Sequence, residues 1–182
     1  MEIMNFWIIL IGICFLLTCA LNAVGVFTPS WIISSGKIAS GSLKGMNSFG
    51  IVPYRDSVTK EFPWFGVSSI LMYITVGFSI LIIFAYILIV FKIYQDGFEP
   101  SLRKWINFIG ALSLIIFTLT FISVLLIGAD LQTMNTAYTP ITFSLGYSPW
   151  LCVGSCVLLI ILVIPSFYFS NERIKDHQTF YS

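Results

Sequence analysis

The chain has 182 residues, of which 58% are hydrophobic and 9% charged, whereas about one quarter of the residues of a typical soluble domain are charged. Its mean hydropathy is +0.96 and its formal net charge is +1 at pH 7. These values exclude an ordinary soluble domain, and without a basic face they give no reason to expect nucleic acid as a partner. The length predicts one domain, and the composition places it in a lipid bilayer.

Four segments contain about 20 or more predominantly apolar residues, the length that a helix needs to cross a bilayer. Their centres contain no Asp, Glu, Lys, Arg or His. The five tryptophans all fall near the ends of these segments, where amphipathic rings prefer the headgroup layer. We predict membrane-spanning helices at 6–27, 68–91, 105–128 and 147–169, with Trp7, Trp31, Trp64, Trp105 and Trp150 marking their ends.

The first apolar segment could also be a secretory signal peptide. The stretch from Ile3 to Gly36 has no charged residue, however, and it is much longer than the apolar region of about 7–15 residues in such a peptide. The basic start of a signal peptide is also missing, since Glu2 is the first charged residue. We therefore expect a retained helix.

The basic residues predict the orientation in the membrane. Five of them lie in the linker 92–104 and the tail 170–182, four lie in the longer loop 28–67, and none lies in the loop 129–146. Basic residues close to the ends of spans favour the cytoplasmic side. We therefore predict a multi-pass protein of the cell membrane with both termini and the linker in the cytoplasm, and with both other loops outside the cell.

The two outer loops contain short segments that are typical of β-strands. Residues 31–35, 37–43 and 47–54 alternate or are bounded by glycine and proline, and 137–145 has a similar character. Because a two-stranded hairpin is only marginally stable in water, we expect one small sheet that draws on both loops. The predicted fold is an all-α membrane four-helix bundle with a small extracellular β-sheet.

The four cysteines all lie in apolar segments, so no disulfide between outer loops is expected. Cys152 and Cys156 invite comparison with four-helix quinone-linked oxidoreductases, which use a Cys-x-x-Cys pair. Here the spacing is i, i+4 and the outer loops have no partner cysteines, so we expect apolar packing residues. A membrane thiol-redox enzyme remains a remote alternative. We expect Asn22, near the end of the first span, to make an interhelical hydrogen bond.

No other pattern predicts catalysis. The acidic residues and the single histidine show no metal-ligand spacing, and there is no glycine-rich phosphate loop. The spans lack the central ionisable groups that transporters of ions or protons use. We therefore predict a protein that is not an enzyme and that requires no cofactor or metal.

Three motifs carry a resemblance to a known family. They are Thr28-Pro29-Ser30-Trp31 after the first span, Phe49-Gly50-Ile51 further along the same loop, and the segment 145–150 at the start of the fourth span. Together with the four spans, these resemble the claudin and peripheral myelin protein tetraspan superfamily, and the claudin-like proteins of invertebrates most of all. The resemblance implies that Trp31, Phe49, Gly50 and Ile51 are the family's structural motif, with Trp31 either the anchor of the outer sheet or an aromatic residue at the membrane interface.

The chain departs from this family at one point. In the family a Gly-Leu-Trp motif precedes two loop cysteines, whereas Gly50-Ile51-Val52 takes its place here and both cysteines are absent. A disulfide of this kind typically contributes about 2–4 kcal/mol to stability. Packing must therefore hold the outer sheet together.

These observations predict a tetraspan protein that works by contact. We expect lateral association with another integral membrane protein, such as an ion channel or receptor, as an auxiliary or scaffolding subunit, or association with a second copy of the chain. The alternative is a cell–cell adhesion or junction and barrier protein that uses its outer loops. Small residues allow helices to approach closely in lipid, and the possible lateral contacts are Gly12, Ala20, Ala23, Gly154 and Ser155.

Overall fold

A computed structural model describes residues 2–35, 48–51, 60, 62–97, 102–137 and 141–162. The described residues form four helices and a three-stranded antiparallel sheet, which confirms the predicted fold class. The helices are α1 (Glu2–Phe27), α2 (Pro63–Asp96), α3 (Leu102–Ala137) and α4 (Ser148–Leu162), and the strands are β1 (Ile32–Ser35), β2 (Ser48–Phe49) and β3 (Thr142–Leu145).

Among the described residues, α1, α2 and α3 are long and apolar enough to cross a membrane. The described part of α4 is apolar but shorter, and the rest of the predicted span 147–169 lies outside the described residues. Many large apolar side chains point outward, among them Leu114 at 66% exposure and Phe84 at 62%. Lipid is the environment in which such a surface is favourable.

Two helices are longer than a bilayer requires. With 34 and 36 residues, α2 and α3 each extend over roughly 50 Å at about 1.5 Å per residue, whereas the apolar core of a bilayer is about 30 Å thick. Proline at the first position starts α2 at Pro63, before the predicted span begins at 68. At its other end Gly97 has a φ of 75° and donates its N–H to the Ile93 carbonyl, which terminates the helix.

The sheet draws on both predicted outer loops, as expected. Its order is β2-β1-β3, so the first strand in sequence is the central one. Ile32 pairs with Phe49 of β2 on one side and with Leu145 of β3 on the other. Along β1, Ile32 and Ser34 are buried, whereas Ile33 and Ser35 face outward. The strand predicted at 37–43 lies outside the described residues.

The buried apolar residues form two clusters. The sheet-proximal cluster joins the sheet to the nearby ends of all four helices and consists of Val26, Trp31, Ile32, Phe49, Ile51, Phe62, Phe65, Met72, Ile127, Met134, Phe143 and Cys152. The sheet-distal cluster fills the rest of the bundle and consists of Phe15, Ile82, Ala85, Ile89, Leu102, Ile109, Leu112, Ile116, Cys156 and Leu159.

Candidate functional site: the junction between sheet and bundle

The residues that carry the family resemblance meet where the sheet rests on the helices, a region we call the sheet–bundle junction. Trp31 and Ile51 are fully buried there, and Phe49 is 3% exposed. Gly50 lies between the last two and is half-buried. The structure thus places all four motif residues in one region, although they come from two separate stretches of the first loop.

Trp31 makes the shorter of two hydrogen bonds to a backbone carbonyl at the end of α1. In a continuing helix the Gly25 carbonyl would accept the N–H of residue 29, but Pro29 has no N–H. The Trp31 indole Nε1 donates to this carbonyl at 2.8 Å instead. Thr28 Oγ1 lies 3.3 Å from the same oxygen and 2.8 Å from the Val24 carbonyl. A proline and a tryptophan two residues apart therefore act as one device that ends α1 and fixes the start of β1.

Phe49 and Ile51 attach the second part of the first loop to α2. The Phe49 ring makes edge contacts with Phe65 of α2 at a centroid distance of 6.0 Å and with Phe143 of β3 at 6.2 Å. The Ile51 carbonyl accepts a hydrogen bond of 2.9 Å from Ser69 Oγ, which is buried in α2. These contacts hold the loop segment close to where the family's cysteines would follow, and they do so without a covalent bond.

The second loop closes the junction at the start of α4. Gly146 N–H donates to the Trp31 carbonyl at 2.9 Å, and Ser148 N–H donates to the Ser30 carbonyl at 3.2 Å, so the pairing of β1 with β3 continues to the first residue of α4. A Cβ on Gly146 would collide with the Ser30 carbonyl. Ser148 Oγ also lies 2.7 Å from Thr28 Oγ1 and joins the ends of α1 and α4.

Asn135 connects the far end of α3 to β3. Its Oδ1 accepts the N–H of Phe143, and its Nδ2 donates to the Phe143 carbonyl at 3.3 Å. Both bonds go to one residue, so the amide of Asn135 imitates the backbone of a neighbouring strand on the side of β3 that faces away from β1. This role of Asn135 is not predictable from sequence, because an asparagine in a polar segment carries no signal that indicates such a partner.

A close approach between α1 and α4 completes the junction. A Cβ on Gly25 would collide with the Cys152 thiol and would lie 3.1 Å from the Ser148 carbonyl. Cys152 is fully buried and Cys156 is 3% exposed, and both pack within the two apolar clusters, as expected. All four cysteines lie among the described residues, and all are free thiols.

The small residues that were predicted as possible lateral contacts fall into two groups. Ser155 is fully buried, and a Cβ on Gly12 would meet the Tyr86 ring, so both serve packing within the bundle. Ala20 faces outward and Ala23 is partly exposed. Gly154 also borders the outside, since a Cβ there would meet open space.

The side chains of the sheet–bundle junction are suited to holding the sheet against the helices. Its polar side chains bind backbone groups or one another, and within the described residues no group of three or more His, Cys, Asp or Glu residues could hold a metal ion. The result is a sheet fixed to three helix ends and to the side of α2.

Comparison with known proteins supports the resemblance over nearly the whole length. A family model described as "Tight junction protein, Claudin-like" matches residues 1–178. No curated protein matches the chain.

Proposed function

Because the chain belongs to the claudin-like family of tight junction proteins, we propose that it is a non-enzymatic tetraspan protein that associates laterally, as an auxiliary or scaffolding subunit of another integral membrane protein. The family match covers nearly the full chain and supports a protein that works by contact. The partner would meet the outward faces of the helices within the bilayer.

The observation that carries this proposal is a set of open positions on those outward faces. Gly154 lies on the side of α4 that also carries Trp150 and Val157, which are 64% and 49% exposed. Gly77 lies on an outward face of α2, and there too an added Cβ would meet open space. In lipid, helices associate through close packing rather than through a hydrophobic driving force. A gap between bulky neighbours therefore favours the approach of a partner helix.

The second candidate is adhesion through the outer sheet, and the junction favours it in one respect. The missing disulfide would leave a flexible sheet if nothing replaced it. In place of the disulfide, the side chains of Trp31, Ser69 and Asn135 donate hydrogen bonds that tie the loops and the sheet to the helices. A rigid sheet could present a surface to a protein on a facing cell.

Both candidates rest on the same proposed topology, with the sheet outside the cell and the termini inside. Single cysteines at Ser144 and Asp96, both exposed in the structure, would test it with a reagent that cannot cross the membrane. We expect labelling of the cysteine at 144 in intact cells, and of the cysteine at 96 only after permeabilisation. Labelling of both from the same side would contradict the topology.

Co-purification from native membranes in mild detergent separates the two candidates. Gly77→Leu and Gly154→Leu fill the open positions on the helices, whereas Ile33→Glu changes the exposed face of β1. We expect the leucine variants to lose the partners that wild type retains and Ile33→Glu to keep them. Val157→Leu, on the same outward side of α4, is the matched control. Loss of partners in Ile33→Glu alone would contradict lateral association and support adhesion through the sheet.

A further inference from the structure

A buried polar layer crosses the bundle between its two apolar clusters. On α2, for example, two hydroxyl residues lie between Met72 of the sheet-proximal cluster and Ile82 of the sheet-distal cluster. Each helix contributes at least one such side chain, and none is more than 6% exposed. We define the polar layer as Asn22, Thr75, Ser79, Thr120 and Ser155.

Contacts between the helices run through or beside several of these side chains. Asn22 Nδ2 donates to Ser79 Oγ at 3.0 Å, which is the interhelical hydrogen bond predicted for Asn22 and joins α1 to α2. The Cys152 thiol lies 3.9 Å from the Asn22 carbonyl and joins α4 to α1. One turn further along α4, the Cys156 thiol lies beside Thr120 of α3. The layer therefore involves all four helices.

Hydrogen-bond donors are scarce in this layer. A serine or threonine hydroxyl has one hydrogen to donate and two lone pairs to accept. Thr75, Ser79 and Ser155 donate their hydrogens to carbonyls of their own helices, at distances of 2.7–2.8 Å. These three hydroxyls therefore have no hydrogen left for a side chain of another helix.

One buried acceptor, in contrast, has no donor. Asn22 Oδ1 accepts no hydrogen bond among the described residues, and the buried Thr120 hydroxyl, which can both donate and accept, has only the Cys156 thiol beside it. Leaving a buried amide oxygen without a donor is unfavourable, and the surrounding lipid has none to offer. The described side chains of the layer are neutral, so a charged ligand at this depth would be costly. The missing component is a small, neutral hydrogen-bond donor for Asn22 Oδ1.

We propose that the polar layer binds internal water, with one water molecule that donates to Asn22 Oδ1 and water that hydrogen-bonds to the Thr120 hydroxyl. Water has the required size and two donor hydrogens, and buried waters in proteins typically make about three hydrogen bonds to such groups. The remaining lone pairs of Thr75 and Ser155 provide further acceptors. The bundle thus has a hydrated plane between two dry clusters.

X-ray radiolytic labelling of the full chain in lipid nanodiscs tests this proposal, because radicals formed from a bound water oxidise the side chains next to it. We expect mass spectrometry to find Cys156 oxidised although it is 3% exposed. Thr120→Val keeps the shape of the side chain but removes the hydroxyl, and it should lower this oxidation several-fold. Ser113→Ala is the matched control, since that buried hydroxyl bonds the Ile109 carbonyl of its own helix and lies outside the layer.

Equal oxidation of Cys156 in wild type and in a folded Thr120→Val variant would overturn the proposal. A second measurement needs no substitution and covers the case in which that variant does not fold. In wild type, NMR magnetisation transfer from water to the Asn22 side-chain amide should be strong. Transfer as weak as that to the backbone amide of Ile116, which is fully buried in the sheet-distal cluster, would show a dry layer.

Discussion

The end of α1 shows how two neighbouring residues can divide one task. Pro29 removes the N–H that would have satisfied the Gly25 carbonyl, and the Trp31 indole supplies the replacement. Because Trp31 is fully buried, its ring also fills the space beneath the sheet. From sequence alone, a membrane-interface role would explain a tryptophan at this position equally well. In the structure Trp31 does more, because it is buried and binds the end of α1.

Trp31→Phe tests this role. The substitution keeps an aromatic ring but leaves the Gly25 carbonyl short of a donor, which should lower the free energy of unfolding by about 1–3 kcal/mol. Thermal unfolding in lipid nanodiscs would measure the loss. Trp105→Phe is the control, because Trp105 is 38% exposed and has no comparable bond among the described residues. Equal losses of unfolding free energy in the two variants would contradict the role of Trp31 in ending α1.

Alanine substitutions at two glycines that differ in burial should have opposite effects on stability. Gly25→Ala forces a methyl group against Cys152 and should cost about 1–3 kcal/mol, as overpacking usually does. Gly77→Ala meets open space and should be neutral or slightly stabilising, since alanine is the better helix former. Adding Cys152→Ala should recover part of the loss in Gly25→Ala. A double-mutant cycle of unfolding free energies measures this coupling, and strict additivity would show that the two residues are not in contact.

Among the secondary-structure elements, β3 depends most on a partner outside the sheet. Strands at the edge of a sheet leave backbone groups unpaired, and Asn135 of α3 satisfies both groups of Phe143. The extension of α3 to Ala137 is what brings Asn135 to this position. The length of α3 beyond the bilayer is therefore used to support the sheet.

Asn135→Ala should release β3 from α3 while the helices stay intact. We expect faster amide hydrogen exchange at Phe143, because its N–H loses its acceptor, with little change in the exchange of β1. Thr136→Ala is the matched control, since the exposed Thr136 hydroxyl bonds its own helix through the Thr133 carbonyl. Unchanged exchange at Phe143 in Asn135→Ala would contradict the proposed support.

Elements that depend on local sequence are predictable, whereas contacts that arise only from tertiary packing are not. Apolar length predicts the helices, alternation and turn residues predict the strands, and the motif identifies Trp31, Phe49 and Ile51. Ser69 and Asn135 escape detection because their partners are 18 and 8 residues away and arise only from tertiary packing. At the end near the sheet, the start of α2 and the end of α3 extend past the predicted spans for a related reason, since a helix outside the membrane needs no apolar run if one face packs against a sheet.

The whole molecule is organised around its sheet–bundle junction. Contacts at α1, α2, α3 and α4 attach the sheet to the bundle at this end. The outward helix faces, in contrast, combine bulky side chains with gaps at Gly77 and Gly154. This contrast is why we place the functional contact within the bilayer.

Site-specific photo-crosslinking in native membranes tests lateral association most directly. A photoreactive side chain at Val157 lies on the outward side of α4 next to the gap at Gly154, whereas the same group at Ser144 lies on the exposed face of β3. We predict discrete covalent adducts with another membrane protein or a second copy of the chain from position 157, and their loss when Gly154→Leu is added. Adducts from position 144 with none from position 157 would contradict the account and make the outer sheet the contact surface.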